Sequence, residues 1–298
     1  MKVTITGASG FVGLNLHHYL NNNHEIENLS ARFCPNQEFK LETNAVIHLA
    51  GKAHDLKKVS QPSDYYQANF ELTKQLFDSF VNSDTEVFIF MSSVKACADK
   101  VEGVLTENDN SNPKTHYGIS KLQAEQYILS KKLPEGKRVY ILRPCMIHGP
   151  GNKGNLNLLY SLVYKKIPWP LGAFSNQRSF LSVENLCFII RELLENKEIM
   201  SGVYHLADDQ AISTNELIEI IANSLKKESK IFKVSKGLIT KIASFGDYLP
   251  LPLNSERLQK LTESYVVSNE RIKKAIGKEL PISTKEGLVN TINSFRKK

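Results

Sequence analysis

The 298 residues include only four cysteines, Cys34, Cys97, Cys145 and Cys187, and none forms a C-x-x-C pair. So sparse a set excludes a disulfide framework and a zinc ribbon, and it suits a reducing compartment. Long apolar runs are missing too, since stretches such as Val87–Met91 fall far short of the ~18 residues that span a bilayer. No basic-then-apolar leader precedes the first strand, so an unprocessed cytoplasmic protein without membrane insertion is expected. Long basic blocks are absent, although 38 Lys and Arg against 31 Asp and Glu leave a formal net charge of +7. That excess suits an anionic partner such as a phosphate-bearing ligand, RNA or a lipid head group without deciding among them, and no nucleic-acid motif accompanies it. Without internal repeats or low-complexity tracts, solenoids, propellers and disordered chains are also set aside. What is present, 41% apolar and 23% charged residues, is the make-up of a globular protein able to bury a core unaided.

K-V-T-I-T at 2–6, G-A-S-G-F-V-G at 7–13 and helix-spaced apolar residues at 14–20 read as strand, glycine turn and helix. Further strands are predicted over 25–29, 45–50, 86–92 and 138–142, with helices over 63–82 and 117–131. Strands alternating with helices imply an α/β fold with a Rossmann-type, doubly wound parallel sheet. Only about fifteen residues separate the second and third strands, so the helix and strand that usually intervene must be shortened or missing. The glycine-rich loop from His148 sets a boundary between a dinucleotide-binding domain at 1–147 and a smaller, mostly helical substrate-binding region at 148–298. Residues 180–206 are expected to return to the sheet. Helices are predicted over 156–165, 183–195, 214–226 and 284–295. Ser213 with Glu216 and Ser283 with Glu286 read as capping boxes for the last two.

The glycine turn carries the first chemical signal. Gly7 permits the tight turn, Gly10 a close approach of backbone to a pyrophosphate, and Gly13 close packing of helix on strand. Ser9, Phe11 and Val12 complete that cofactor loop. The second strand ends in Leu29-Ser30-Ala31-Arg32 without an acid, and Glu25 and Glu27 lie too early to reach a ribose. Ser30 and Arg32 offer a hydroxyl and a guanidinium to a 2′-phosphate, so NADP(H) is favoured and NAD(H) stays open. The second signal is Tyr117 and Lys121, four apart and therefore on one helix face, after a strand ending in Ser92-Ser93. The ammonium is expected to lower the phenol's pKa so that Tyr117 serves as general acid or base, with Ser93 bonding the same substrate oxygen. His48 reads as a brace for the cofactor loop. Cys145 and His148 lack further ligands nearby, so no metal is expected. Trp169, between two prolines, either stacks near a substrate base or wedges the interface between regions.

Together these motifs resemble the extended short-chain dehydrogenase/reductase superfamily, in its NAD-dependent epimerase/dehydratase family. The segments are T-G-A-S-G-F-V-G at 6–13, H-L-A-G at 48–51, Asn69, M-S-S at 91–93, Y-G-I-S-K at 117–121, L-R-P at 142–144 and R-S-F at 178–180. They cover nearly the whole chain. The resemblance implies Tyr117 as catalytic acid/base, Lys121 as a second holder of the nicotinamide ribose, and Ser93 rather than Ser92 as the residue orienting the sugar oxygen. It adds Leu49, Ala50, Gly51, Asn69, Pro144 and Met146 to the cofactor contacts, and Lys95, Asn155 and Arg178 to the substrate contacts, with Arg178 at the nucleotide's phosphates. S-S-V-K at 92–95 and W-P-L-G-A-F-x-N-x-R-S-F at 169–180 are similar to bacterial reductases of the UDP-N-acetylquinovosamine type. The expected activity is reduction of the C4 ketone of a UDP-4-keto-6-deoxy-N-acetylhexosamine. The alternatives are a UDP-glucose or UDP-N-acetylglucosamine 4-epimerase with bound NAD, and a non-catalytic NADP-sensing regulator. A homodimer through the helices near 63–82 and 117–131 is also what the resemblance implies.

Overall fold

The computed structural model describes residues 1–52, 61–152, 155–248 and 253–297, without the side chains of residues 155 and 297. The chain opens with β1 (Lys2–Thr6), α1 (Phe11–Leu20), β2 (Glu25–Leu29) and β3 (Ala45–His48). A helical run follows, comprising α2 (Pro62–Tyr65), a wider π turn (Tyr66–Glu71) and α3 (Leu72–Val81), and leads into β4 (Val87–Met91). After the short β5 (Val104–Leu105) come α4 (His116–Ser130) and β6 (Arg138–Pro144). The remainder is β7 (Met146–His148), α5 (Asn155–Tyr164), β8 (Phe180–Ser182), α6 (Val183–Glu195), β9 (Gly202–Leu206), α7 (Thr214–Ser224), α8 (Lys236–Phe245), α9 (Ser255–Thr262), β10 (Val266–Val267), α10 (Glu270–Ile276) and α11 (Thr284–Ser294).

The central sheet has six parallel strands in the order β2-β1-β3-β4-β6-β9. Alternation within the strands decides which helices cover which face. Val3, Ile5, Ala45, Ile47, Ile89 and Leu142 pack with the apolar residues of α1, α6 and α10. Their neighbours Val46, Phe88, Phe90 and Ile141 pack with α3 and α4. Strands buried on both faces read as continuous apolar runs, as β4 does. β9, with α6 before it, brings the chain back to the sheet edge beside β6.

Residues 30–44 contain neither helix nor strand. Phe39 and Leu41 from this segment instead fill the space against α3, and the Phe39 N–H donates to Ser79 Oγ at 3.0 Å. A loop thus does the covering that a crossover helix does elsewhere in the sheet. β3 stops at His48, two residues short of the expected strand, because Leu49, Ala50 and Gly51 turn under the glycine loop.

A second core gathers residues of α5, α7, α8, α9 and α11 around Trp169, Ile218, Ile221, Leu288 and Ile292. Both expected capping boxes form at α7 and α11. Helices α8, α9 and α10 have no counterpart among the expected elements; each is at most ten residues long and rich in lysine or glutamate. Trp169 is buried in this second core, its indole N–H donating to Asn215 Oδ1 at 2.9 Å. Short parallel pairs stitch the regions together, β7 with β8 and β10 with β5.

Candidate active site

At the carboxyl end of β1 the chain turns through Gly7 at φ +70°, a conformation that L side chains seldom adopt. A β-carbon there would lie 2.7 Å from the Ala50 nitrogen, and one on Gly13 would lie 2.5 Å from the Gly7 oxygen. Gly10 caps α1 and donates to the Gly7 carbonyl at 3.0 Å, while Ser9 is exposed at the tip and Phe11 and Val12 open the helix. The loop therefore brings backbone N–H groups and the positive end of α1 to one exposed edge, the geometry of a pyrophosphate cradle.

A directional relay braces the opposite wall. The Ala50 N–H donates to Thr6 Oγ1 (3.1 Å), which bonds His48 Nδ1 (2.7 Å). His48 Nε2 bonds Thr73 Oγ1 (3.0 Å), and that hydroxyl donates to the Asn69 carbonyl (2.7 Å). Burial pushes the imidazole down to about 3, which keeps it neutral and suited to one donor and one acceptor. The Asn69 side chain, buried on the π turn, accepts from the Lys52 N–H (2.8 Å) and donates to the Lys52 carbonyl and Ser120 Oγ. A β-carbon on Gly51 would lie 2.7 Å from Asn69 Oδ1 and 3.2 Å from Lys121 Nζ. Leu49, Ala50, Gly51, Asn69 and Lys121 are thus gathered beside the glycine loop. Ser30 and Arg32 are exposed past the end of β2, and Arg32 lines a cavity of about 410 Å³ with Gly51, Lys52 and Asp64. Pro144 ends β6 and Met146 opens β7 at the same sheet edge.

Tyr117 and Lys121 lie one turn apart on α4, facing the end of β4. Lys121 is buried, donates to the Met91 carbonyl at 2.8 Å and sits 4.9 Å from the Phe90 ring centroid. Desolvation lowers its ammonium to about 8, with Glu125 working in the opposite direction. The expected lowering of the Tyr117 pKa by Lys121 is not found. Burial raises the phenol, the hydrogen bond with Ser93 opposes that rise, and Tyr65 adds to it. The reason is geometric, since the ammonium is turned to the Met91 carbonyl. Ser92 and Ser93 divide their roles clearly. Ser92 Oγ donates a short hydrogen bond to Glu125, whereas Ser93 bonds the Tyr117 phenol and accepts from the Lys95 N–H at 3.2 Å.

Behind these residues lies a buried ion pair to which sequence reasoning gave no role. Arg143 Nε donates to both Glu125 oxygens at 3.0 and 3.1 Å, and Nη2 donates to Oε2 and to Ser111 Oγ. The signal was available: Glu125 follows Lys121 by four residues and Tyr117 by eight, and Arg143 is the centre of L-R-P.

On the substrate side, Lys95 Nζ donates to the Asp99 carbonyl (2.8 Å) and sits 4.2 Å from the Tyr265 ring centroid. It is therefore partly buried rather than a solvated loop lysine. Desolvation lowers its pKa, Asp99 and Glu263 oppose this, and Arg178 adds to the lowering. Arg178 is itself desolvated, and its Nη1 donates to the Lys260 carbonyl at 2.6 Å. Two cations thus lie close enough to feel each other near Ser93. Asn155 opens α5, but its side chain lies outside the described residues. His148 Nδ1 bonds Thr291 Oγ1 at 2.9 Å and Nε2 lies 3.7 Å from Asp208, a packing contact between β7 and α11.

A glycine cradle at a sheet edge and a Ser-Tyr-Lys group beside it are the marks of an enzyme that works with a nicotinamide cofactor. Residues 3–207 match the model of the NAD dependent epimerase/dehydratase family, and the chain belongs to that family, within the extended short-chain dehydrogenases/reductases. It is 28% identical to a UDP-glucose 4-epimerase of Vibrio cholerae over 99% of this chain and 95% of that protein. It is 24% identical to a UDP-2-acetamido-2,6-beta-L-arabino-hexul-4-ose reductase of Pseudomonas aeruginosa, over 84% of this chain and 65% of that one. Among solved structures, RMD from Pseudomonas aeruginosa complexed with NADPH superposes with a TM-score of 0.75 at 23% identity, covering 100% and 99% of the two chains. The protein is an enzyme of nucleotide-sugar epimerase and reductase type. No helix among the described residues is long and apolar enough to cross a membrane.

Proposed function

We propose that the protein reduces the C4 ketone of a UDP-4-keto-6-deoxy-N-acetylhexosamine. The observation that carries this reading is the half-buried Tyr117 phenol, hydrogen-bonded to Ser93 and raised in pKa by desolvation, one helical turn from Lys121 and with Lys95 bonded to the same serine through its backbone N–H. Ketone reduction needs a proton donor at the carbonyl oxygen, and a phenol raised above its usual pKa remains one across neutral pH. Gly7, Gly10 and Gly13 would hold the dinucleotide's pyrophosphate, with Ser9, Phe11 and Val12 around it. Leu49, Ala50, Gly51, Asn69, Pro144 and Met146 would line the rest of its site, and Lys121 would hold its nicotinamide ribose. The cradle fits such a group because Gly7, Gly13 and Gly51 let the chain pack against Ala50, Ala8 and Asn69 with no room for a β-carbon, which keeps the tight turn that opens backbone N–H groups to a pyrophosphate. When bound, the nicotinamide supplies the hydride. Ser93 orients the sugar oxygen, Tyr117 delivers the proton to it, and Arg178 with Lys95 and Asn155 holds the nucleotide diphosphate.

Exposed Ser30 and Arg32, with no acid following β2, favour NADPH, because a guanidinium complements a 2′-phosphate and a carboxylate would repel it. A 4-epimerase retaining NAD is the second reading, supported by the likeness to the Vibrio cholerae epimerase along nearly the full chain. The test is NADPH oxidation on addition of the 4-keto sugar nucleotide, comparing wild type with Tyr117→Phe. Substrate-dependent loss of NADPH that drops by about 10³-fold in the variant is expected. Interconversion of UDP-sugar epimers without NADPH consumption would overturn the reductase in favour of the epimerase.

A further inference from the structure

Large apolar side chains are exposed in an unusual concentration on one part of the C-terminal region. On α8, Leu238, Ile242 and Phe245 are 52%, 42% and 67% exposed, and Tyr248 just beyond is 89% exposed. The spacing of four and three residues puts the first three on one helix stripe. The helix does not need that stripe for its own packing. Its neighbouring stripe, Ile239 and Ala243, is fully buried in the second core and already anchors it. Phe232, in the strand-like segment ahead of α8, is 54% exposed as well.

The charge around this stripe has one sign. Residues 226–248 hold six lysines against only Glu228 and Asp247. Asp247 is already engaged, accepting from the Ser255 N–H (2.9 Å) and hydroxyl (2.6 Å). Lys233, Lys236 and Lys241 are exposed, and among the described residues none of them pairs with a carboxylate. A solvated enzyme of a small soluble substrate has no use for an apolar stripe bordered by unpaired cations.

We propose that α8 and the lysine-bearing segment before it form a docking surface for an anionic lipid bilayer. The inference goes beyond the reaction proposed above and does not depend on it. Apolar side chains standing out from a short helix, with lysines whose stems lie along the boundary and whose ammonium groups reach head-group phosphates, are the composition of an interfacial helix. Charge argues against a second copy of the chain as occupant, because a two-fold contact would press two lysine-rich faces together. The molecule would then sit on the membrane by its C-terminal region.

Cosedimentation with vesicles tests this, using phosphatidylcholine alone and phosphatidylcholine mixed with phosphatidylglycerol, at low and high salt. The full-length protein is expected to pellet with the anionic vesicles, to be released by salt, and to ignore the neutral ones. Leu238→Ser/Ile242→Ser/Phe245→Ser and Lys233→Glu/Lys236→Glu/Lys241→Glu should each reduce binding by about tenfold or more. Both should keep the wild-type melting temperature and nicotinamide affinity, which shows that they fold. Absence of binding to anionic vesicles overturns the proposal, as does binding that neither variant weakens. A wild-type dimer that the serine variant turns monomeric, or salt-sensitive binding to a polyglutamate column without vesicle binding, would assign the face to a second copy or to an acidic protein instead.

Discussion

The sheet and the C-terminal core gather their apolar residues in different ways. In β3 and β4 alternate residues go to opposite faces, one closed by the consecutive helices α3 and α4 and the other by α1, α6 and α10. The C-terminal core draws on five helices and intervening loops, with side chains bonding backbone across long separations. Asn176 ties Thr214 to the Glu263 carbonyl, and Asn215 links Trp169 to the Gly172 and Phe174 carbonyls. The sheet is a repeating frame that fixes backbone turns at one edge, where a cofactor common to many enzymes can sit. The other core is an individual assembly whose loops pair Arg178 with Tyr265, residues that on the function proposed above would meet the substrate.

Substitutions can break this division or sharpen it. Phe88→Ala empties a site packed against Phe77 and Phe80, so a loss of about 3–5 kcal/mol is expected in denaturant unfolding. It should lower cofactor and substrate binding together, since the frame serves both. Glu125→Gln leaves Arg143 buried without its partner, at a cost of about 3 kcal/mol. Its second effect separates chemistry from folding. Desolvation pushes the Lys121 ammonium down to about 8 and Glu125 works against that lowering, while buried His48 stays neutral, so an alkaline fall in kcat is expected. The alkaline fall in kcat should therefore move to lower pH in the variant, and an unmoved limb would reduce Glu125 to a packing role.

Acid should act on the frame before the C-terminal core. His48 and His205 are buried with pKa values depressed to about 3 and about 4 from 6.5, both on strands of the sheet. Unfolding lets each take up a proton, so their stabilising contribution is present above pH 6.5 and is lost as pH falls towards 4. The expected slope is roughly 1 kcal/mol per pH unit for each imidazole, and His48→Gln should flatten it. The smallest effect belongs to the substrate side. Arg178→Ala should raise KM for the sugar nucleotide about tenfold, near 1.4 kcal/mol, while leaving the NADPH Kd unchanged. Equal losses in both constants would mean that the two regions do not divide the work.

Much of the frame was legible because its signals are local. The glycine turn, the apolar runs of β3 and β4, and the two capping boxes each depend on residues close in sequence, and the short 30–44 connection followed from counting. Tyr117, Lys121 and Ser93 were legible for the same reason: a helix spacing and a strand end place them together. The electrostatics were not. Whether Lys121 faces the phenol or the Met91 carbonyl depends on a side-chain torsion, and no spacing reports it. The Glu125–Arg143 pair joins α4 to β6 and becomes visible only once the two are packed. Helices α8 to α10 escaped because each is short, at most ten residues, so that few turns of periodicity are present to read.

The return of the chain to the sheet as β9 has a practical consequence for anyone recombining such enzymes. A cut after His148 would strip β6 of its outer neighbour and α1 of its helical partner α6, exposing the apolar surface they cover. On the function proposed above, the substrate-facing unit is discontinuous, made of roughly 149–179 and the chain beyond Ala207, with α10 kept from the host because Ile272 and Ile276 belong to the sheet's core. The natural seams for a chimera are therefore three, near 148/149, 179/180 and 207/208, with two more where α10 is retained.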